Sequence, residues 1–239
     1  MDEFSLIQQF FSVAQNKTTQ DGVILGIGDD AAIIKPPEGE VLLFTTDALI
    51  NGVHFPLDTA ARAIGHKALA VNLSDIAAMA GQARWFTLAL SLPEPDPAWL
   101  KDFSEGLFAL AKQFSVSLVG GDTTRGPLSI TLSVIGTTQE KQAIRRSTAK
   151  PGDAIYITGH LGTASLGLAA INDEITLSEI DLSNCRNKLD FPQPRLQEGY
   201  FLRDYASSMI DISDGLTSDL DHILRASDCN NRFTGQEAH

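Results

Sequence analysis

Five short segments of this chain place aspartates beside glycine, serine or threonine, a composition suited to oxygen ligands for a hard cation. They are Gly26-Ile27-Gly28-Asp29-Asp30-Ala31-Ala32, Thr45-Thr46-Asp47, Asn72-Leu73-Ser74-Asp75, Gly120-Gly121-Asp122-Thr123-Thr124 and Asp211-Ile212-Ser213-Asp214-Gly215. Divalent cations such as Mg²⁺ take carboxylates, hydroxyls, carbonyls and water, and they share phosphate oxygens with a substrate. Taken singly, each segment has an ordinary alternative. The first can be a plain β-turn and the second a polar strand end. The fourth can be a hairpin turn, and in the fifth Ser213 or Asp214 can simply cap a helix.

The third segment is harder to dismiss. Residues 68–80 are apolar apart from Asn72, Ser74 and Asp75, and a helix apolar nearly all round is expected to be buried. No Lys or Arg lies within one turn of Asp75. A buried carboxylate needs a partner, which is either a cation or a hydrogen-bond network through Asn72. Alternation along the second segment puts Thr45 and Asp47 on one strand face and Thr46 on the other.

The first segment also fits a loose dinucleotide fingerprint. That reading fails because Pro36-Pro37 ends the following stretch before a helix could present its amino terminus to a pyrophosphate. Carboxylates this numerous repel one another in a low-dielectric cleft unless cations stand between them. The inference is a multi-metal site for a phosphorylated substrate. Neither a Gly-x-x-x-x-Gly-Lys-Ser/Thr loop nor a His-Arg-Asp catalytic loop is present. Metals would therefore supply the neutralising charge that a P-loop lysine supplies elsewhere.

Composition agrees. The 239 residues carry 20 Asp against 10 Glu, and a net charge of −12. Seven of those aspartates lie in the five segments. Such an acidic chain argues against a nucleic-acid groove. Its 43% hydrophobic content argues against a disordered tail. No apolar run of roughly 18 residues predicts a membrane span, and the acidic start is not a secretory signal. Cys185 and Cys229 form no metal-spaced motif, which suggests a reduced, cytoplasmic protein.

The elements that must position these residues read as α+β. Helices are expected over 5–15, 59–80, 97–114, 161–171, 195–205 and 215–226. Strands are expected within 29–34 and over 41–49, 84–92, 117–119, 128–137, 154–158 and 208–212. Residues 172–194 read as polar and irregular. Lys150-Pro151-Gly152-Asp153 suggests a boundary between a domain at 1–149 and a second, partial domain at 150–239. The second half is thin for a sheet with its own core, so the chain is expected to be incomplete there.

These segments, together with Gly52-Val53-His54-Phe55, Lys67-Ala68-Leu69-Ala70-Val71 and Arg146-Ser147, occur in one order that resembles the thiamine-monophosphate kinase family. That family sits in a superfamily with aminoimidazole ribonucleotide synthetase and selenophosphate synthetase. The resemblance runs from about Phe4 to Cys229. It implies a two-domain fold of that superfamily, an N-terminal mixed sheet with helices on one face, and a homodimer. It also implies ATP-dependent phosphorylation of thiamine phosphate to thiamine diphosphate in the cytoplasm.

By the same likeness, Asp30, Thr45, Thr46, Asp47, Asp75, Asp122, Asp211 and Asp214 would hold several Mg²⁺ ions. Gly121, Asp122, Arg146 and Ser213 would contact ATP, and His54 the thiamine phosphate. Asp75, Asp122, Arg146 and Asp214 would carry catalysis. Whether a monovalent cation joins them is left open. The acceptor is a phosphate monoester with a second pKa of about 6, so no general base is required, and direct in-line transfer is expected. The family's further acidic-aromatic motif and its ring-seating aromatics do not occur in this chain. Alternatives are another ATP-using enzyme of the superfamily, or a truncated nucleotide-binding module without catalysis.

Overall fold

A computed structural model describes residues 7–12 and 22–229 of the chain. Its centre is a four-stranded sheet of β3 (Glu40–Ile50), β4 (Gln82–Leu92), β5 (Ser117–Arg125) and β6 (Ser129–Gln139), in the order β3-β6-β4-β5. A separate two-stranded ribbon, β1 (Val23–Leu25) with β2 (Ile33–Ile34), carries the turn that contains Asp29 and Asp30. β6 is antiparallel to both neighbours, and β4 and β5 run parallel. A parallel pair needs a long crossover, and α2 (Pro97–Gln113) supplies it.

Strand alternation decides which face is covered. Ile130, Leu132 and Val134 of β6 are fully buried, and Leu43 and Leu49 of β3 point the same way. Over them lie α1 (Ala61–Ala78) and α2. The sequence starts α2 cleanly: Asp96 accepts the N–H of Ala98 at 2.9 Å, and Pro97 occupies the first turn. The two helices cross closely because each offers a glycine. A Cβ on Gly65 would lie 2.1 Å from the Phe103 carbonyl oxygen, and one on Gly106 would lie 2.0 Å from that of Arg62.

The opposite face is open along β3. Phe44 is 68% exposed and Leu42 51% exposed there. The β3–β6 ladder is continuous from Glu40 opposite Gln139 to Ile50 opposite Ser129. The pairings of β4 with β5 and with β6 each contain an irregularity. Trp85 and Phe86 still alternate: Phe86, opposite Val134, joins the core under the helices, whereas Trp85, opposite Ile135, is buried on the other face near Gly22 at the start of the β1–β2 ribbon.

Several expectations are corrected. β5 does not stop at Val119. It continues through Gly120-Gly121-Asp122 to Arg125, because the parallel edge of β4 from Thr87 to Leu92 pairs it throughout. Among the described residues beyond 149 there are α3 (Thr163–Ile171), α4 (Glu179–Asp190), α5 (Leu196–Leu202) and α6 (Leu216–Ala226), and no strand. The strands expected at 154–158 and 208–212 are absent because strand propensity is realised only when a neighbour takes up the backbone groups. Ile155 and Tyr156 are exposed instead. The Ser208 hydroxyl donates to the carbonyls of Arg145 and Arg146.

α4 lies where irregular chain was expected. Its signal was present: Ser178 accepts the N–H of Asp181 and donates to its carboxylate, a reciprocal start three residues apart. Of the first expected helix, Ile7–Ser12 forms a single π-type turn with Phe11 buried against Phe108, and the rest lies outside the described residues.

Candidate active site

The covered face of β3 and the final turns of α1 meet at one point. Thr45 donates its hydroxyl hydrogen to Oδ2 of Asp75 at 2.5 Å. Thr45, Asp47, Ser74 and Asp75 are half-buried. Asp75 is therefore less enclosed than its apolar helix suggested, and its partner is a strand hydroxyl. The network through Asn72 does not form: that side chain donates back to the Ala68 carbonyl of its own helix at 3.1 Å, and its Oδ1 is buried without a partner.

Asp75 is the electrostatic centre of a carboxylate group. Burial, then the Asp75 charge, pushes the Asp47 carboxyl above the ordinary aspartate range, and His54 partly offsets this. Asp211 comes in from the segment before α6. Its carboxyl is also raised, first by burial and then by Asp75, against the opposing pull of Arg146 and a hydrogen bond with Ser74. Like charges gathered in a partly dry place favour a bound cation.

Beside this group opens a cavity of about 450 Å³, bounded by Leu43, Thr45, Asp75, Met79, Arg146 and Met209. Its lining is largely apolar and includes both charge signs, at Asp75 and at Arg145 and Arg146. The short helical turn Arg146–Thr148 presents Arg146 there. It is tied to the second half of the chain by bonds from Ser208 and Ser227 to the Arg146 carbonyl.

The remaining expected residues stand apart from this group. Thr46 lies on the open face, its hydroxyl paired with that of Ser133 at 2.8 Å. Asp30 is exposed, its N–H held by the Asp29 carboxylate at 2.8 Å. Gly121 and Asp122 are exposed in the middle of β5, at the far edge of the sheet from β3. Ser213 and Asp214 are exposed just before α6. His54 is exposed on the loop after β3, its Nδ1 accepting the Ile50 N–H at 3.0 Å.

Among the described residues no group of three or more His, Cys, Asp or Glu side chains stands close enough to hold an ion unaided. The donor set is nevertheless all oxygen and suits Mg²⁺, which keeps several waters and shares substrate phosphate oxygens. Thr45, Asp47, Asp75 and Asp211 would supply the protein's share.

One participant in the architecture had escaped the sequence pattern. Neither Ser213 nor Asp214 caps α6. The cap position is Gly215, and the carboxylate of Asp219, in the first turn, receives the preceding backbone N–H groups. An acidic residue in the first turn of a helix was the available signal.

A mixed sheet with two helices on one face, and Asp75 at a cavity beside it, defines a class. Residues 28–138 match the family model described as AIR synthase related protein, N-terminal domain. Within that class the chain is 47% identical over 232 residues to the thiamine-monophosphate kinase of Escherichia coli (strain K12), covering 97% of this chain and 71% of that protein. It matches the crystal structure of thiamine-monophosphate kinase from Stenotrophomonas maltophilia K279a with a TM-score of 0.86 and 44% identity, over 95% of this chain and 73% of the other. It matches AaThiL complexed with AMPPCP and TMP with a TM-score of 0.75 and 29% identity, over 95% and 70%. The chain belongs to the thiamine-monophosphate kinase family.

Proposed function

We propose that this chain transfers the γ-phosphoryl group of ATP directly to the phosphate of thiamine phosphate, giving thiamine diphosphate and ADP. The observation that carries the reading is the convergence of Asp47 and Asp211 on Asp75, with Arg146 at the edge of the same cavity. Two polyanions must meet in line, and the acceptor oxygen already carries its negative charge near neutral pH. No side chain has to remove a proton. Bound Mg²⁺ supplies the positive charge that lets the two phosphates approach.

The chain's own residues hold and orient. Thr45, Asp47, Asp75 and Asp211 form the inner oxygen set, and Thr45 fixes the rotamer of Asp75. Asp30, Thr46, Asp122 and Asp214 complete it from the surrounding elements, as the family likeness implies. Arg146 aligns a phosphate and offsets charge developing on it. Gly121, Asp122 and Ser213 contact the nucleotide, and His54 the thiamine phosphate. A monovalent cation is a further candidate ligand.

Two copies of the chain associate through the open sheet face, a reading supported by the exposed Leu42, Phe44 and Ile50. Residues 1–149 form the nucleotide and dimer domain and 150–239 part of a second. Among the described residues no helix is long and apolar enough to cross a membrane, and the site of action is the cytoplasm.

The test is product analysis. The purified chain with Mg·ATP should release ADP and form thiamine diphosphate when given thiamine phosphate. It should release none with selenide or formylglycinamidine ribotide, which would mark the superfamily's other ATP-using enzymes. Nucleotide binding with no turnover on any acceptor would make the chain a binding module.

A further inference from the structure

Three consecutive backbone N–H groups, those of Ser213, Asp214 and Gly215, point into one spot at the amino terminus of α6. Such a cradle is ordinarily an anion site, because the donors converge and the helix dipole adds to them. A phosphate-binding protein would be expected to leave it free for phosphate. Here the chain fills it. Oδ2 of Asp219 accepts all three N–H groups, at 3.0, 3.2 and 3.1 Å. Asp219 is only 3% exposed. The cap residue is a glycine with no side chain to do the same work.

The geometry assigns Asp219 as a positioning residue that plugs this anion cradle from within and so turns the Asp211–Gly215 loop into a presenter of cation ligands. With those three N–H groups neutralised internally, the polar side chains the loop presents are the carboxylates of Asp211 and Asp214 and the hydroxyl of Ser213. The clamp also fixes the backbone on which those side chains ride. Asp211 can then lie against Ser74 and Asp75 without the loop turning over to bring its donors to a phosphate. Asp219 touches neither nucleotide nor acceptor in this assignment. It acts through Asp211 and Asp214.

The inference rests on the metal-dependent reading above, and the experiment separates the two. Mn²⁺ binding to the full chain, with and without a non-hydrolysable ATP analogue, is titrated by electron paramagnetic resonance for wild type, Asp219→Ala and Asp219→Asn. Binding of inorganic phosphate and thermal denaturation are measured in parallel. Removing a residue that orients metal ligands costs about tenfold or more in metal affinity. Asp219→Ala should show that loss and should gain phosphate binding, as the emptied cradle admits an anion. Asp219→Asn keeps the shape and one acceptor oxygen but drops the charge, and it should fall between the two. Variants that are less heat-stable yet bind Mn²⁺ as wild type does, with no phosphate gained, would reduce Asp219 to a helix cap and overturn the assignment. A wild-type chain that binds no Mn²⁺ would overturn the metal reading beneath it.

Discussion

Arg186 of α4 donates to Oδ2 of Asp58 at 2.9 Å, and Asp58 lies four residues beyond His54 on the loop between β3 and α1. The same guanidinium reaches Asp190 through Nε at 3.3 Å. The hydrogen bond from Arg186 holds the Asp58 carboxyl below its usual range. A helix from the second half of the chain thus steadies the segment that carries the proposed thiamine phosphate contact. Asp58 is exposed, so solvent screens the pair and its contribution is small. Arg186→Ala should therefore raise KM for thiamine phosphate about two- to fivefold while kcat and KM for ATP stay near wild type. Steady-state kinetics with each substrate varied in turn would check it, and an unchanged KM would remove the loop-steadying role.

The carboxylates around Asp75 set stability against function. The folded pKa of Asp47 and of Asp211 is raised. Between the unfolded value, about 3.9, and the raised one, the native state binds more protons. Stability of the metal-free protein therefore falls as pH rises through that window, and the loss is complete above it. Neutralising the charge should reverse it. Asp211→Asn should raise the Tm of the metal-free chain at neutral pH by about 2 °C while lowering kcat at least about a hundredfold. Added Mg²⁺ should lift the wild-type Tm more than the variant's. Scanning calorimetry with and without Mg²⁺ reads both effects.

His66 acts with the opposite sign. Its Nε2 faces the Pro192 carbonyl at 2.8 Å, and its ring meets Phe191 edge-on at 5.3 Å. Burial lowers its pKa, with the Pro192 hydrogen bond opposing. As pH falls below about 6.5, the unfolded chain takes up the proton first, so stability drops. Replacing His66 by Gln, which keeps a donor but does not titrate, should flatten the Tm profile between pH 7 and pH 5 by about 2 °C. A variant profile parallel to wild type would exclude His66 as the titrating group.

Two adjacent glycines in β5 should behave differently. A Cβ on Gly121 would lie 1.9 Å from the Leu88 carbonyl oxygen, whereas one on Gly120 meets nothing nearer than Thr87 Cγ2 at 4.0 Å. Gly121→Ala must push β5 away from β4 and should cost about 2–4 kcal/mol with loss of activity. Gly120→Ala should stay within about 1 kcal/mol of wild type. Urea denaturation of the pair gives the comparison.

Elements with a strong local signature were legible in advance. α2 was legible from Pro97 at its first turn, and β6 from the alternation of Ile130, Leu132 and Val134. The separation of Thr45 from Thr46 followed from strand geometry alone. What stayed hidden depended on partners distant in sequence. Residues 154–158 carry strand-forming side chains, yet nothing in their composition reveals whether a neighbour will pair with them. β5 was cut short because Gly120-Gly121 reads as an ending when β4 is not in view. The contact between Thr45 and Asp75 spans thirty positions, and only the packing of α1 on β3 creates it. Asp219 looked like one more acidic residue on a helix, since its role lies in backbone donors that carry no sequence label.

The unbroken β3–β6 ladder has a consequence for how this site can vary. Eleven consecutive pairs hold β3 in a single phase against the molecule. Alternate residues of that strand answer to different masters: Thr45 and Asp47 to the cleft, Phe44 and Thr46 to the outer surface. The strand works as a ruler with no slack, and slippage by one position would exchange the two sets at a stroke. An inserted or deleted residue between Glu40 and Asp47 is therefore more damaging than any one substitution there. It would carry a phenylalanine into the proposed ion-binding cleft and deliver the carboxylate to the wrong side of the sheet.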